Sequence, residues 1–278
     1  MSTQTARTAQ SAPDAVIRYV GRAGDRNDAA VAATAQLADA LGSRLSVPVT
    51  TVAQPRPPLG SGWEAELDAA RADLRGLADR FREALAAGAG PVAALTRCAA
   101  ALATLPEVAR AHPGVVVVWF DAHADLNTPT STPTGYLGGL ALSGPLGLWD
   151  SGLGAGVEHA VLVGTRDMDP EEQRLVADGA VGRVPVGGSM AEQLADAVAG
   201  RPVYVHIDCD VLEPGTVPTE YQVPDGMTLA QLEACAAALV RTDVVGLEVA
   251  ELQASDGDDG SARRLVTALE PLLAVLER

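Results

Sequence analysis

The chain lacks lysine altogether: its 20 basic side chains are all arginine, set against 36 Asp and Glu. The net charge of −16 leaves no basic face for phosphate contacts and argues against nucleic acid as a partner. The same acidic field favours small cations and divalent metal ions. Cysteine is scarce. Cys98, Cys209 and Cys235 are odd in number and show no CxxC spacing, which excludes a disulfide framework and points to a reduced, cytoplasmic protein. No apolar run reaches the length of a membrane span, and the polar opening MSTQTARTAQSAPDA has no signal-peptide core, so a frayed tail is expected over residues 1–14. Aromatic residues are only 3% of the chain, so the core must be built from the Ala, Val and Leu that dominate its 47% hydrophobic content.

What is present is a regular alternation. Strand-like runs are expected at 16–21, 49–53, 91–95, 115–121, 160–165, 181–186, 203–210 and 244–252. Helical stretches are expected at 28–45, 63–87, 96–112, 170–178, 190–199, 229–240 and 261–276. The fourth run, VVVVWF, is apolar on both faces, as in a covered parallel sheet. The pattern predicts an α/β fold, a three-layer α/β/α sandwich with a mainly parallel, roughly eight-stranded sheet, forming one domain over 15–278. Ligands of such sheets bind beyond the carboxyl ends of the strands.

Two strand ends carry acid. In DAHADLN, Asp121, His123 and Asp125 alternate, and an extended backbone would turn all three to one side. In VYVHIDCDVLEP, Asp208 and Asp210 share a face, with Cys209 turned away as a buried thiol and His206 expected to pack or hydrogen-bond. Clustered carboxylates are costly unless a cation neutralises them. Two such clusters suit a pair of metals able to activate water, and oxygen-rich ligation with one His suits Mn²⁺.

These segments resemble the motifs of the arginase (ureohydrolase) family. DAHADLN is similar to its DAHxDxN, HIDCDVLEP to SFDxDxxDP, GTRDMDPEE to GxRDxDxxE, and GLEVAEL to the strand ending in ExNP, in family order over roughly 91–253. The resemblance implies two Mn²⁺ ions, with Asp121 and Asp208 bridging, Asp125 completing the first site, and His123 with Asp210 the second. It implies Glu251 as the carboxylate that holds a guanidinium and Asp125 as the group that moves a proton. Asn127 and Thr134 would contact the amino-acid end of the substrate, Asp167 and Asp169 its α-amino group, and Arg166 would orient those two acids. The expected partner is a small cationic amino acid, with no nucleic acid or membrane, and an oligomer is compatible with the family.

The pattern also breaks. PVAALTRCA places Cys98 at the metal-binding His of the family's GGDH, so that a thiolate would ligate the first metal. The NxHGxP segment becomes YLGGLA, with Tyr136 at the Asn and Gly138 at the active-site His. Losing that His removes a proton donor, and Gly138 leaves room beside the guanidinium for a larger substituent. PTEYQVPDG likewise rewrites the turn after the second cluster. These departures resemble the branch of the family that hydrolyses Nω-hydroxy-L-arginine to L-ornithine and hydroxyurea in antibiotic biosynthesis, with Tyr136 beside the added hydroxyl. The alternatives are an arginase or agmatinase acting on an unmodified guanidino group, and a non-catalytic binding protein on the same fold.

Overall fold

A computed structural model describes residues 11–255, 257 and 259–278. Eight strands, β1 (Val16–Tyr19), β2 (Val49–Val52), β3 (Val92–Ala94), β4 (Val116–Phe120), β5 (His159–Val163), β6 (Gly182–Val184), β7 (Val203–Asp208) and β8 (Val244–Ala250), form one sheet in the order β2-β1-β3-β8-β7-β4-β5-β6. Every pairing is parallel. The expected eight strands are therefore all present, each ending one or two residues earlier than its apolar run. The surplus residues form the loops that carry the acids.

Helices cover both faces. One face packs α1 (Ala29–Leu45), α5 (Met190–Val198), α6 (Leu229–Leu239), α7 (Ser261–Ala268) and α8 (Glu270–Leu276) through Leu37, Leu41, Leu194, Leu232 and Leu265. The other packs α2 (Trp63–Ala86) and α3 (Ala101–Ala111) through Leu74, Phe81, Leu102 and Leu105, with α4 (Pro170–Ala177) at its margin. β4 is buried along its whole length, and each buried Val contributes roughly 1.5 kcal/mol or more. Its side chains alternate between the two cores: Val116, Val118 and Phe120 join one, Val117 and Trp119 the other.

Two helices differ from expectation. The stretch 261–276 breaks at Leu269, because Pro271 enters the first turn of α8 without an N–H to continue α7. The stretch 96–112 begins with extended Arg97 and a 3₁₀ turn, Cys98–Ala100, before α3 starts. Of the tail read at 1–14, residues 1–10 lie outside the described residues. Ser11 bridges to Ala89, and Asp14 pairs with Arg80 at 2.7 Å. Among the described residues no helix is long and apolar enough to cross a membrane.

Candidate active site and metal centre

Because all strands run one way, their carboxyl ends open on a single side of the sheet. There the loops after β1, β3, β4, β5, β7 and β8 enclose a cavity of about 290 Å³. Cys98, His123, Asp125, Asp208, Asp210 and Glu251 line its floor, and Asp121 is fully buried beneath them.

The first cluster converges by a route other than the one expected. β4 stops at Phe120, and Asp125 takes a left-handed backbone, φ 52°, so that a bend and not strand alternation brings it back toward Asp121. Glu251 is likewise left-handed, φ 65°. Non-glycine residues seldom adopt this region, and its use at two cavity carboxylates marks a backbone held for function.

Donor atoms of three groups lie within 4.8 Å of one another: Cys98, Asp121 and Asp125; Asp121, His123 and Asp210; and Cys98, Asp208 and Glu251. All six residues expected to hold metal fall in these groups, and Glu251 joins them. Burial pushes the Asp125 and Asp208 carboxyls well up, with Asp121 and Asp210 respectively adding to it. Burial and then Asp121 raise Asp210 to about 6. Burial would raise Asp121 too, but His123 holds it low. Among the described residues Asp210 Oδ2 has no hydrogen-bond partner, although His123 Nδ1 approaches to 3.1 Å. An orphaned buried oxygen among crowded carboxylates fits divalent cations, which would remove the repulsion.

Behind the floor runs a line of buried partners. Cys98 Sγ lies 3.1 Å from Asp208 Oδ2 and 3.1 Å from His206 Nε2. His206 Nδ1 lies 2.7 Å from Glu248 Oε1, and Glu248 Oε2 accepts from Tyr204 and Thr104 at 2.7 Å each. Trp119 stacks on the His206 ring at 3.5 Å and donates to Asp121 at 2.9 Å. The expectation of a packing and hydrogen-bonding role for His206 is met. Glu248 escaped the sequence reading, although its place two residues along β8 from Ala250 in GLEVAEL was a signal.

Glu251 carries an unexpected occupant. Arg97, fully buried, reaches it with Nη1 at 2.5 Å from Oε2, and the Cys98 N–H donates to Oε1 at 3.1 Å. Arg97 also meets Asp25 at 3.0 Å and Glu220 at 2.8 Å. Burial raises Glu251 to about 7, against the pull of Arg97. Each carboxylate oxygen keeps a lone pair for a further donor. Aligning Cys98 with the His of GGDH puts Arg97 at its Asp, and that charge reversal was the overlooked signal.

At the rim, Asn127 donates to Asp169 at 2.8 Å and accepts from Ser131 at 2.9 Å. Thr134 and Asp167 line the wall, and Glu172 reaches back to the Asp169 N–H at 2.8 Å. Arg166 does not orient the acids as expected. Its guanidinium donates to the carbonyls of Gly164, Asp210, Val211, Val223 and Pro224, tying the loop after β5 to the loop after β7. The room expected beside Gly138 is also taken. A Cβ there would stand 2.3 Å from Tyr136 Cε1, so the tyrosine ring fills the space that glycine frees. The Tyr136 hydroxyl is buried with no hydrogen-bond partner among the described residues, in the field of Glu251 and Arg97, and burial pushes it well up.

An all-parallel α/β/α sandwich whose strand ends gather carboxylates, one His and one thiol is built as a binuclear metallohydrolase. The sequence model of the arginase family matches residues 2–270, and the chain belongs to that family, whose members are ureohydrolases dependent on two metals. It is 42% identical over 256 residues to the N(omega)-hydroxy-L-arginine amidinohydrolase of Streptomyces lavendulae, covering 91% of this chain and 93% of that one. The arginase of Bacillus caldovelox superposes with a TM-score of 0.82 over 94% of this chain and 98% of its own, at 20% identity. The proclavaminate amidino hydrolase of Streptomyces clavuligerus superposes at 0.73 over 97% and 94%, at 18% identity. These two likenesses establish the fold.

Proposed function

We propose that this protein hydrolyses Nω-hydroxy-L-arginine to L-ornithine and hydroxyurea, at a centre of two manganese ions and in the reducing cytoplasm. The observation that carries the reading is the Tyr136–Gly138 exchange: a tyrosine of the cavity lining, whose buried hydroxyl has no hydrogen-bond partner among the described residues, offers one to an added substrate hydroxyl. The 42% identity to an enzyme of that name supports it.

Cys98, Asp121, His123, Asp125, Asp208 and Asp210 would hold the two ions. Bound there, the pair supplies Lewis acidity and a water activated at neutral pH. Glu251, braced by Arg97, accepts an N–H of the substrate and fixes the hydroxyguanidine carbon over the floor. Because its own countercharge is already present, Glu251 suits a group less basic than a guanidinium, as an N-hydroxyguanidine is. Tyr136 meets the added hydroxyl, while Asn127 and Thr134 take the amino-acid end and Asp167 with Asp169 the α-ammonium. As the bond from the central carbon to the side-chain nitrogen breaks, Asp125 delivers the proton to that nitrogen. The nitrogen leaves as the amine of ornithine, and the water oxygen stays on hydroxyurea.

Incubation of the manganese-loaded protein with Nω-hydroxy-L-arginine in heavy-oxygen water tests this. Ornithine and hydroxyurea are expected in equal amounts, with the label in hydroxyurea alone. Absence of either product, or label in ornithine, contradicts the proposal.

A further inference from the structure

The cavity is lined by seven carboxylates, yet the substrate class proposed above brings a carboxylate of its own. Within such a field that group needs a cation. The lining contains one arginine, Arg26, on the loop that follows β1.

The loop is built to present it. Gly24, at φ 87°, lets the backbone close on the Tyr136–Gly138 segment, where a Cβ would stand 3.1 Å from Leu137 Cβ. Asp25 is buried and held by the Ala23 N–H at 2.8 Å and Arg97 at 3.0 Å. Asn27 donates to Glu220 at 3.1 Å and accepts from the Ala29 N–H at 2.9 Å. Both neighbours of Arg26 are therefore pinned to the site, while its own side chain is exposed. Its guanidinium rests on the faces of Tyr136, 4.5 Å from the ring centroid, and Tyr221, at 5.9 Å. Aromatic faces orient a guanidinium without using its N–H donors. Among the described residues no hydrogen bond or ion pair involves Arg26, so its donor fork remains available. Tyr221 also meets the His123 ring edge-on at 5.4 Å, so a single aromatic residue links the metal-centre floor to the Arg26 rim.

We infer that Arg26 is a specificity-determining residue that binds the α-carboxylate of the substrate and so selects an amino acid over its decarboxylated amine. The inference rests on the reading of the site as one for an arginine-type amino acid. The planar fork pairs with both carboxylate oxygens. The two tyrosines hold it against the pull of the acidic floor.

The test compares wild type, Arg26→Met and Arg26→Lys as manganese-loaded proteins on Nω-hydroxy-L-arginine and its decarboxylated analogue. Arg26 is exposed, so both variants are expected to fold. For Arg26→Met the KM of the amino acid should rise about tenfold, the scale of one charged hydrogen bond, with kcat nearly unchanged. The KM of the decarboxylated analogue should not move, and Arg26→Lys should recover part of the loss. Calorimetry should show the same split, with L-ornithine weakened and putrescine unaffected. Equal losses for both ligands, or none for either, overturn the inference. If wild type prefers L-arginine, the hydroxyarginine reading fails while L-arginine against agmatine still judges Arg26 by the same criterion. A wild type that favours decarboxylated substrates, or that binds no amino acid at all, overturns the role of Arg26.

Discussion

Arg97 sets its own guanidinium against Glu251, Nη1 to Oε2 at 2.5 Å, so the carboxylate expected to hold the substrate's planar cation already holds one from the protein. Arg97 is the countercharge for Asp25 and Glu220 as well, and has no exposure to water. Removing one member of a buried ionic cluster leaves the others uncompensated. Arg97→Met should therefore cost about 3–5 kcal/mol of folding stability. Arg97→Lys keeps the charge but loses the fork and should fall between. Urea denaturation measures both, and a loss under about 1 kcal/mol for the methionine variant would mean that the cluster is not charged as described.

His206 stands between Glu248 and Cys98, where it can fix the thiol that faces the cavity. Outer partners of this kind commonly matter by 10–100-fold in metal affinity. His206→Asn should weaken manganese binding by about that factor in calorimetry. Cobalt-loaded wild type should show thiolate-to-metal charge-transfer absorption that Cys98→Ser lacks. An unchanged spectrum in Cys98→Ser would remove Cys98 from the ligand set.

Tyr136 and Gly138 are coupled by volume. Gly138→Ala should force the tyrosine ring aside at a cost of about 1–3 kcal/mol. The cost should largely vanish when Tyr136 is also Ala, giving a coupling energy of at least about 0.5 kcal/mol in a double-mutant cycle. Strict additivity would show that the ring does not occupy that space.

The order of strands and helices was legible because hydrophobic period and strand-end acids are local signals. Asp121, His123, Asp125, Asp208 and Asp210 could be picked out for the same reason, and Cys98 only through the resemblance of its segment to the family's GGDH. Arg97, Glu248 and Arg26 could not. Arg97 and Glu251 are 154 residues apart, and His206 and Glu248 are 42 apart, so each pairing exists only once β3, β8 and β7 lie side by side. The space beside Gly138 was misjudged since composition alone does not say which way a neighbouring ring turns. Arg166 was misassigned because a motif places a residue but not the five carbonyls around it.

Away from the site, Glu107 on α3 is buried and gripped by Arg110 and by Arg82 of α2, the latter at 2.7 and 3.1 Å. Burial alone would raise its carboxyl, but the two guanidinium forks hold it below its ordinary value of 4.5. A lowered folded value means stability that is fully present above that ordinary value and is lost as pH falls through the folded one. Glu107→Gln should therefore lower Tm most at neutral pH, with the gap to wild type closing on acidification. A gap that stays constant with pH would show that charge pairing is not its origin.

The central claim concerns the substrate, and the most direct measurement is a side-by-side kcat/KM of the manganese-loaded protein on Nω-hydroxy-L-arginine, L-arginine and agmatine. The account predicts at least about a tenfold advantage for hydroxyarginine, worth roughly 1.4 kcal/mol of transition-state preference. An equal or greater value for L-arginine or agmatine would contradict it, and would make Tyr136, Gly138 and Cys98 variations within an ordinary ureohydrolase.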